Sequence, residues 1–274
     1  MSVELASEVM TFYASTVDES VRLSSSADGR LEMLRTQELL RRYLPSAPAC
    51  VLDVGGGPGA HARWLVEDGY SVHLVDPVPR HVETARQVAT TAELGDARDL
   101  GGDDAEYDAV LVLGPLYHLL ERDDRDRALA EAYRLVKPGG LVAAAGINRY
   151  ASLFEHTAFA HLYKDGVRES IESILASRVH DGKQSFTAAY FHSGAELREE
   201  VAAAGFVSTE VFGIEGPTWG MLKATEQYTK ESVIGSPLFE SALAAARMAE
   251  PYPELLAASS HMLTVGRRPA RPAV

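Results

Sequence analysis

Residues 51–65, "VLDVGGGPGAHARWL", constrain this chain more than any other stretch. An apolar run ends in Asp53 and Val54, four glycines and a proline follow, and a helix-like pattern begins at Ala60. This is the order of a strand, a glycine loop and a helix. Glycines suit such a loop because the backbone must turn tightly and come close to a ligand. The amides at the start of the helix then face an electron-rich group.

The segments on either side extend the same rhythm. "SVHLVD", "AELGDA", "YDAVLVLG" and "GGLVAAAG" read as strands, and "GAHARWLVEDG", "RHVETARQVAT" and "DDRDRALAEAYRLV" as the helices between them. Strands alternating with helices predict an α/β fold with a parallel sheet and crossover helices. Residues 1–44 read as a helical cap, closed by Pro45 and Pro48. Residues 50–147 form a cofactor-binding core. Residues 148–190 carry helical patterns with no apolar strand and read as a lid insertion. Residues 191–268 return to the core, with a further helical insertion over 221–258. The whole chain, 1–274, is expected to be one domain.

Composition narrows the partners. Formal charge is −13, from 26 basic and 39 acidic residues, so the basic footprint that nucleic acid requires is missing. The first residues, "MSVELASEVMTFY", lack a basic signal-peptide start, and no apolar run reaches membrane-spanning length. A cytoplasmic protein that binds neither nucleic acid nor membrane is expected. Cys50 is the single cysteine and is expected to be a small buried hydrophobe at the start of its strand. The oligomeric state stays open; the N-terminal helices and those of 221–258 could supply a homodimer surface.

Gly55, Gly57 and Ala60 satisfy the dinucleotide pattern G-x-G-x-x-A. The loop alone therefore admits two cofactors, a nicotinamide dinucleotide and S-adenosylmethionine. Three further features discriminate. Asp76 ends the next strand, 21 residues past Gly55, where a carboxylate can accept from both hydroxyls of a ribose. Asp96 stands at the exit of the third strand, where it could accept from an adenine amine while the Ala97 amide donates to a ring nitrogen. "YRLVKPGGLV" ends a helix in a Lys-Pro-Gly-Gly turn that feeds a strand.

In order and separation, "VLDVGGGPG", "HLVD", "GDA", "YDAVLVLGPLYHL" and "RLVKPGG" resemble the class I S-adenosylmethionine-dependent methyltransferases. The likeness covers about residues 50–146, extends through "HSGAELREEVAAAGF" to about 214, and is nearest to the ubiquinone/menaquinone-biosynthesis-like branch, which holds many small-molecule methyltransferases. The resemblance implies a Rossmann-like sheet of seven strands with the last one antiparallel. It implies S-adenosylmethionine as cofactor, with Gly55 and Gly57 against its methionine part and Asp53 in the same set. Asp76 would hold the ribose, Asp96 and Ala97 the adenine, and Leu113 and Gly114 would lie under the sulfonium. In the N-terminal cap, which resembles the same branch, Tyr13 would close over the cofactor and Arg22 pair with its carboxylate.

Methyl transfer is an in-line displacement, in which the enzyme mainly aligns nucleophile and methyl group. A base helps when the acceptor is a hydroxyl or an amine. His118, in the loop after the fourth strand, is the first candidate for that base. Tyr117 is expected to form a pocket wall, and His192 could point into the pocket from just ahead of a capping box at Ser193 and Glu196. In the lid, His156 and His161 are five residues apart, poor spacing for shared metal ligation on one helical face, and no metal is expected. Trp219 is read as an aromatic wall. The expected reaction is methyl transfer to a small organic acceptor such as a secondary metabolite, at oxygen or nitrogen ahead of carbon. The alternatives are transfer to a peptide or protein side chain, and a non-catalytic binding module.

Overall fold

The computed structural model describes residues 19–182 and 187–270. The chain enters through α1 (Glu19–Ser25) and α2 (Ala27–Tyr43), the latter capped by the Ser26 hydroxyl on the Gly29 amide. It then alternates: β1 (Cys50–Val54), α3 (Ala60–Glu67), β2 (Ser71–Asp76), α4 (Pro79–Ala85), β3 (Thr91–Leu94), β4 (Tyr107–Val112), the short α5 (Pro115–His118), α6 (Arg122–Leu135) and β5 (Val136–Asn148). The insertion carries α7 (Ala151–Ala158), α8 (Asp165–Ser177), β6 (Val179–His180) and β7 (Ala189–His192). The chain closes with α9 (Gly194–Ala203), β8 (Val207–Gly213), α10 (Trp219–Thr229), α11 (Pro237–Ala249) and β9 (His261–Arg267).

The sheet runs β3-β2-β1-β4-β5 in parallel, and β9 joins β5 antiparallel and carries β8 on its other edge. The last strand is thus antiparallel, as expected, but the described residues hold nine strands where seven were expected. The extra two are the β6–β7 hairpin. Ile147 pairs with His261 on one edge and with Phe191 on the other, so β7 continues the β4 edge past the point where β4 ends. "VH" and "AYFH" are too short and mixed in polarity to stand out as strands in sequence.

Both faces of the sheet are covered, so its strands are apolar throughout. Alternate residues serve opposite faces. Leu52, Val54, Val110, Val112, Val142 and Ala144 pack with Leu129 and Leu135 of α6 and Leu197 of α9. Val51, Leu74, Leu111, Leu141 and Ala143 pack with Leu39 and Leu40 of α2 and Leu65 of α3. A third apolar cluster joins Leu31 of α2 to Trp219 and Leu222 of α10 and Leu243 of α11, binding the N-terminal cap to the second insertion. Cys50 is exposed rather than buried, because β1 begins at the open lower rim of the sheet and its apolar positions start at Val51. No helix among the described residues is long and apolar enough to cross a membrane.

The strand order reverses between β1, whose connections lead to β2 and β3, and β4 on its other side. In open α/β sheets such a switch point leaves a crevice at the carboxyl ends of the strands, where ligands bind.

Candidate functional site

The glycine loop lies in that crevice. It leaves β1 with the Gly55 amide donating to Val75 O at 2.7 Å. A β-carbon at Gly56 would stand 2.5 Å from Oδ2 of Asp53 and 2.6 Å from Leu74, so this second of three consecutive glycines is needed for the close approach of loop to strand. Gly57 has φ +57°, and a β-carbon there would meet nothing within 4 Å: the loop turns an open face to a cavity.

That cavity, about 90 Å³, is lined by Asp53, Gly55, Gly57, Leu113, Gly114, Arg22 and Tyr117 among others. Seven of the residues singled out from sequence therefore converge. A second cavity, about 940 Å³, lies beneath the insertions and is lined by His156, His161, His180, Trp219 and Lys223 among others. The two share Arg22, Glu32 and His261.

The loop cavity fits a polar ligand. Oδ2 of Asp53 is buried with no hydrogen-bond partner among the described residues. Burial, then the nearby Asp76 carboxylate, pushes the Asp53 carboxyl up to about 7. The volume is below the roughly 300 Å³ typical of small-molecule pockets, so a nucleoside-sized ligand requires side chains at its walls to move.

Other expected residues are held elsewhere. Asp76 is buried and does not line the cavity: its Oδ2 accepts from the Gly57 amide at 2.9 Å, and its Oδ1 from the Val78 amide at 2.9 Å, with His81 Nδ1 at 3.1 Å. A ribose would have to compete with the loop amide for this carboxylate. Asp96 and Ala97 lie off both cavities, and the Asp96 carboxylate takes the Arg98 guanidinium at 2.9 and 2.6 Å. Burial raises the Asp96 carboxyl, but the bonds from Arg98 outweigh it and hold it below the ordinary range. Arg22 does line the cavity, yet its guanidinium grips Glu32 in a bidentate pair at 2.8 and 3.0 Å. Tyr13 lies outside the described residues.

The two histidines expected at the acceptor side, His118 and His192, line neither of these cavities. The His118 ring packs edge-on against Tyr117, centroids 4.6 Å apart. Burial drives it down to about 4, against a hydrogen bond with the Ala188 backbone and the charge of Asp76. The cause is the unforeseen hairpin, whose strand β7 lies over α5. His192 is fully buried and does not point into a pocket. Its Nε2 is 3.2 Å from Oε2 of Glu200, whose carboxylate also holds the Arg125 guanidinium. Arg125 donates onward to Leu119 O and Leu120 O and stacks 3.8 Å above the Tyr190 ring. This is a clasp joining α6, α9 and β7. The Ser193–Glu196 capping box beside it forms as expected.

His156 and His161 approach each other despite their spacing, with Nδ1 atoms 3.4 Å apart. The helical-face argument fails because α7 ends at Ala158 and Ala160, at φ +51°, folds the chain back. Trp219 lines the larger cavity while its Nε1 donates to Ala258 O.

Residues that sequence reasoning missed stand where the cavities meet. His261 Nδ1 is 2.5 Å from Oε1 of Glu215 and 3.8 Å from Oε2 of Glu32. Glu215 is buried, and its Oε2 accepts from Ser259 Oγ at 2.7 Å and the His261 amide at 2.9 Å. The three side chains lie close enough to share a cation, but their oxygens are spent on Arg22, Ser259 and His261, which makes the group an ion-paired network. Burial would lower His261, but the carboxylates of Glu32 and Glu215 outweigh it and push it up to about 9. Glu32 is raised by burial yet drawn down to about 2 by Arg22 and His261. A signal for His261 was present in sequence: an antiparallel last strand begins at the end where parallel strands finish.

An α/β sheet ordered in this way, with a glycine loop at its switch point, defines the class I S-adenosylmethionine-dependent methyltransferase fold. Residues 51–140 match the methyltransferase domain family. An uncharacterized methyltransferase of Mycobacterium tuberculosis is 40% identical over 105 residues, 38% of this chain and 42% of that protein. A ubiquinone biosynthesis O-methyltransferase of Methylocella silvestris is 38% identical over 110 residues, 38% of this chain and 42% of its own. The matched stretch thus spans about 42% of the length of these curated relatives. A crystal structure of an S-adenosylmethionine-dependent methyltransferase from Thermotoga maritima, described as a possible histamine N-methyltransferase, superposes with a TM-score of 0.57 at 20% identity, covering 94% of this chain and 97% of that one. Residues 51–140 thus carry a methyltransferase domain, and the fold is shared with solved S-adenosylmethionine-dependent methyltransferases, whose cofactor is S-adenosylmethionine.

Proposed function

We propose that this protein transfers the methyl group of S-adenosylmethionine to a small organic acceptor seated in the larger cavity. The observation that carries this reading is the pair of cavities, one floored by the glycine loop and one beneath the helical insertions, with Arg22, Glu32 and His261 on the wall of both. When bound, the cofactor supplies an electrophilic methyl on a positively charged sulfur. Asp53 and the loop backbone would hold it, and Leu113 and Gly114 would line its path. A concave site beneath the insertions favours a small molecule over a polymer. A hydroxyl or amine acceptor, such as one in a secondary metabolite, fits a wall rich in titratable groups. Names among the relatives include an O-methyltransferase and a possible N-methyltransferase.

The test begins with calorimetry against S-adenosylhomocysteine and NADH. Binding of S-adenosylhomocysteine alone is expected; binding of NADH alone would overturn the reading. Methyl-labelled cofactor with a panel of phenols, alcohols and amines then follows transfer into a small product. Label recovered only in protein would replace the small-molecule acceptor with a side chain.

A further inference from the structure

The methyl group must cross from one ligand to the other, so a base that serves the transfer has to stand where the two cavities meet. Among the described residues, His118 and His192 line neither cavity, and His156, His161 and His180 line only the larger one. His61 lines only the smaller. His261 lines both. Its Nδ1 is committed to Glu215 at 2.5 Å, and its Nε2 has no hydrogen-bond partner among the described residues. The dyad is built rather than incidental. Glu215 is buried, Ser259 Oγ donates to its Oε2, and the Glu215 and Gly216 amides donate back to that hydroxyl at 2.9 and 3.2 Å. A carboxylate locked onto one nitrogen fixes the orientation of the ring, and once the ring is neutral the other nitrogen is the acceptor.

Resting on the methyltransferase reading, we propose that His261, oriented by Glu215, is the general base that takes the proton of a hydroxyl or amine acceptor. The acceptor's O–H or N–H proton moves to Nε2 of His261. Its lone pair forms the new bond to the methyl carbon, and the carbon–sulfur bond breaks with its electron pair going to sulfur, leaving a neutral thioether. The proton then leaves from Nε2 to water in the larger cavity. Glu215 is a positioning residue.

The charges around the imidazole make this function depend on the cofactor. Glu32 and Glu215 face His261, Arg22 opposes them from its pair with Glu32, and His61 also acts on the Glu32 charge. With these alone His261 keeps its proton to about 9. If the cofactor's positively charged sulfur bound near this junction, it would favour the neutral, proton-accepting form of His261, and a neutral thioether would not.

The test follows the His261 ring by NMR in isotope-labelled full-length protein, its signal assigned by loss in His261→Gln. In the free protein the signal should titrate near 9. Saturating S-adenosylmethionine should lower the midpoint by about one pH unit or more, S-adenosylhomocysteine should not, and Glu215→Gln should lower it without either ligand. With any acceptor found, His261→Gln should cut turnover about 10²-fold, while affinity for S-adenosylhomocysteine stays within about threefold, and Glu215→Gln should shift the pH profile. A midpoint indifferent to S-adenosylmethionine, or a His261→Gln variant that turns over like wild type, overturns the proposal while cofactor binding and methylation stand. A wild-type protein that binds neither ligand instead overturns the methyltransferase reading beneath it.

Discussion

Asp53 gives the sharpest quantitative expectation. Its carboxyl is 1% exposed, its Oδ2 lacks a hydrogen-bond partner among the described residues, and burial and then the Asp76 charge raise it from 3.8 to about 7. A carboxyl raised by folding binds its proton more tightly in the native state. Its contribution to stability is therefore complete below 3.8 and is lost as pH rises through 7. The full gap corresponds to about 4 kcal/mol at about 1.4 kcal/mol per pH unit. Roughly a third of this is already spent by pH 5, where an unfolded aspartate is mostly ionised, which leaves about 2.5 kcal/mol between pH 5 and pH 8. Asp53→Asn removes the charge and keeps the shape. Urea denaturation at pH 5, 6, 7 and 8 on both proteins isolates the effect, since titrating groups that do not interact with Asp53 cancel in the difference. Relative to the variant, wild type should lose about 2.5 kcal/mol over this range. Parallel stability curves would refute the claim that Asp53 is buried, unpartnered and close to Asp76.

Two further expectations concern the loop and the clasp. Gly57→Ala should cost only the about 1–2 kcal/mol of a left-handed backbone while weakening S-adenosylhomocysteine binding, because its β-carbon enters open space; Gly55→Ala, at φ +66° and with its β-carbon 2.6 Å from Pro115, should cost about 1–3 kcal/mol more. Denaturation and calorimetry on both separate the two, and equal losses of stability would count against this loop geometry. Glu200→Leu should destabilise by about 3–5 kcal/mol, because it strands the buried Arg125 guanidinium. Adding Arg125→Met should recover part of that loss in urea melts, and a double variant weaker than the single would show that the pair is not the source.

How far the site could be read in advance depended on whether neighbours in sequence are also neighbours in space. The loop, the strand-end acids and the α/β alternation are local patterns, and Asp53, Gly55, Gly57, Leu113 and Gly114 arrive together because parallel strands all finish at one rim. Side-chain partners are a different matter. Asp96 has Arg98 two residues away and Arg22 has Glu32 ten residues away, and a loop or helix-face argument cannot say which cation a carboxylate will take. His118 had the right strand end but the wrong neighbour, since a hairpin 70 residues later in the chain lies across it. The histidine that does face both cavities lies at the beginning of the last strand. Once that strand is expected to run antiparallel, its first residue must sit at the rim where the parallel strands end, and Glu215, just past the end of β8, must arrive at the same rim. Direction of travel through the sheet, more than spacing from the glycine loop, is therefore the property that marks His261 and Glu215 as members of the site.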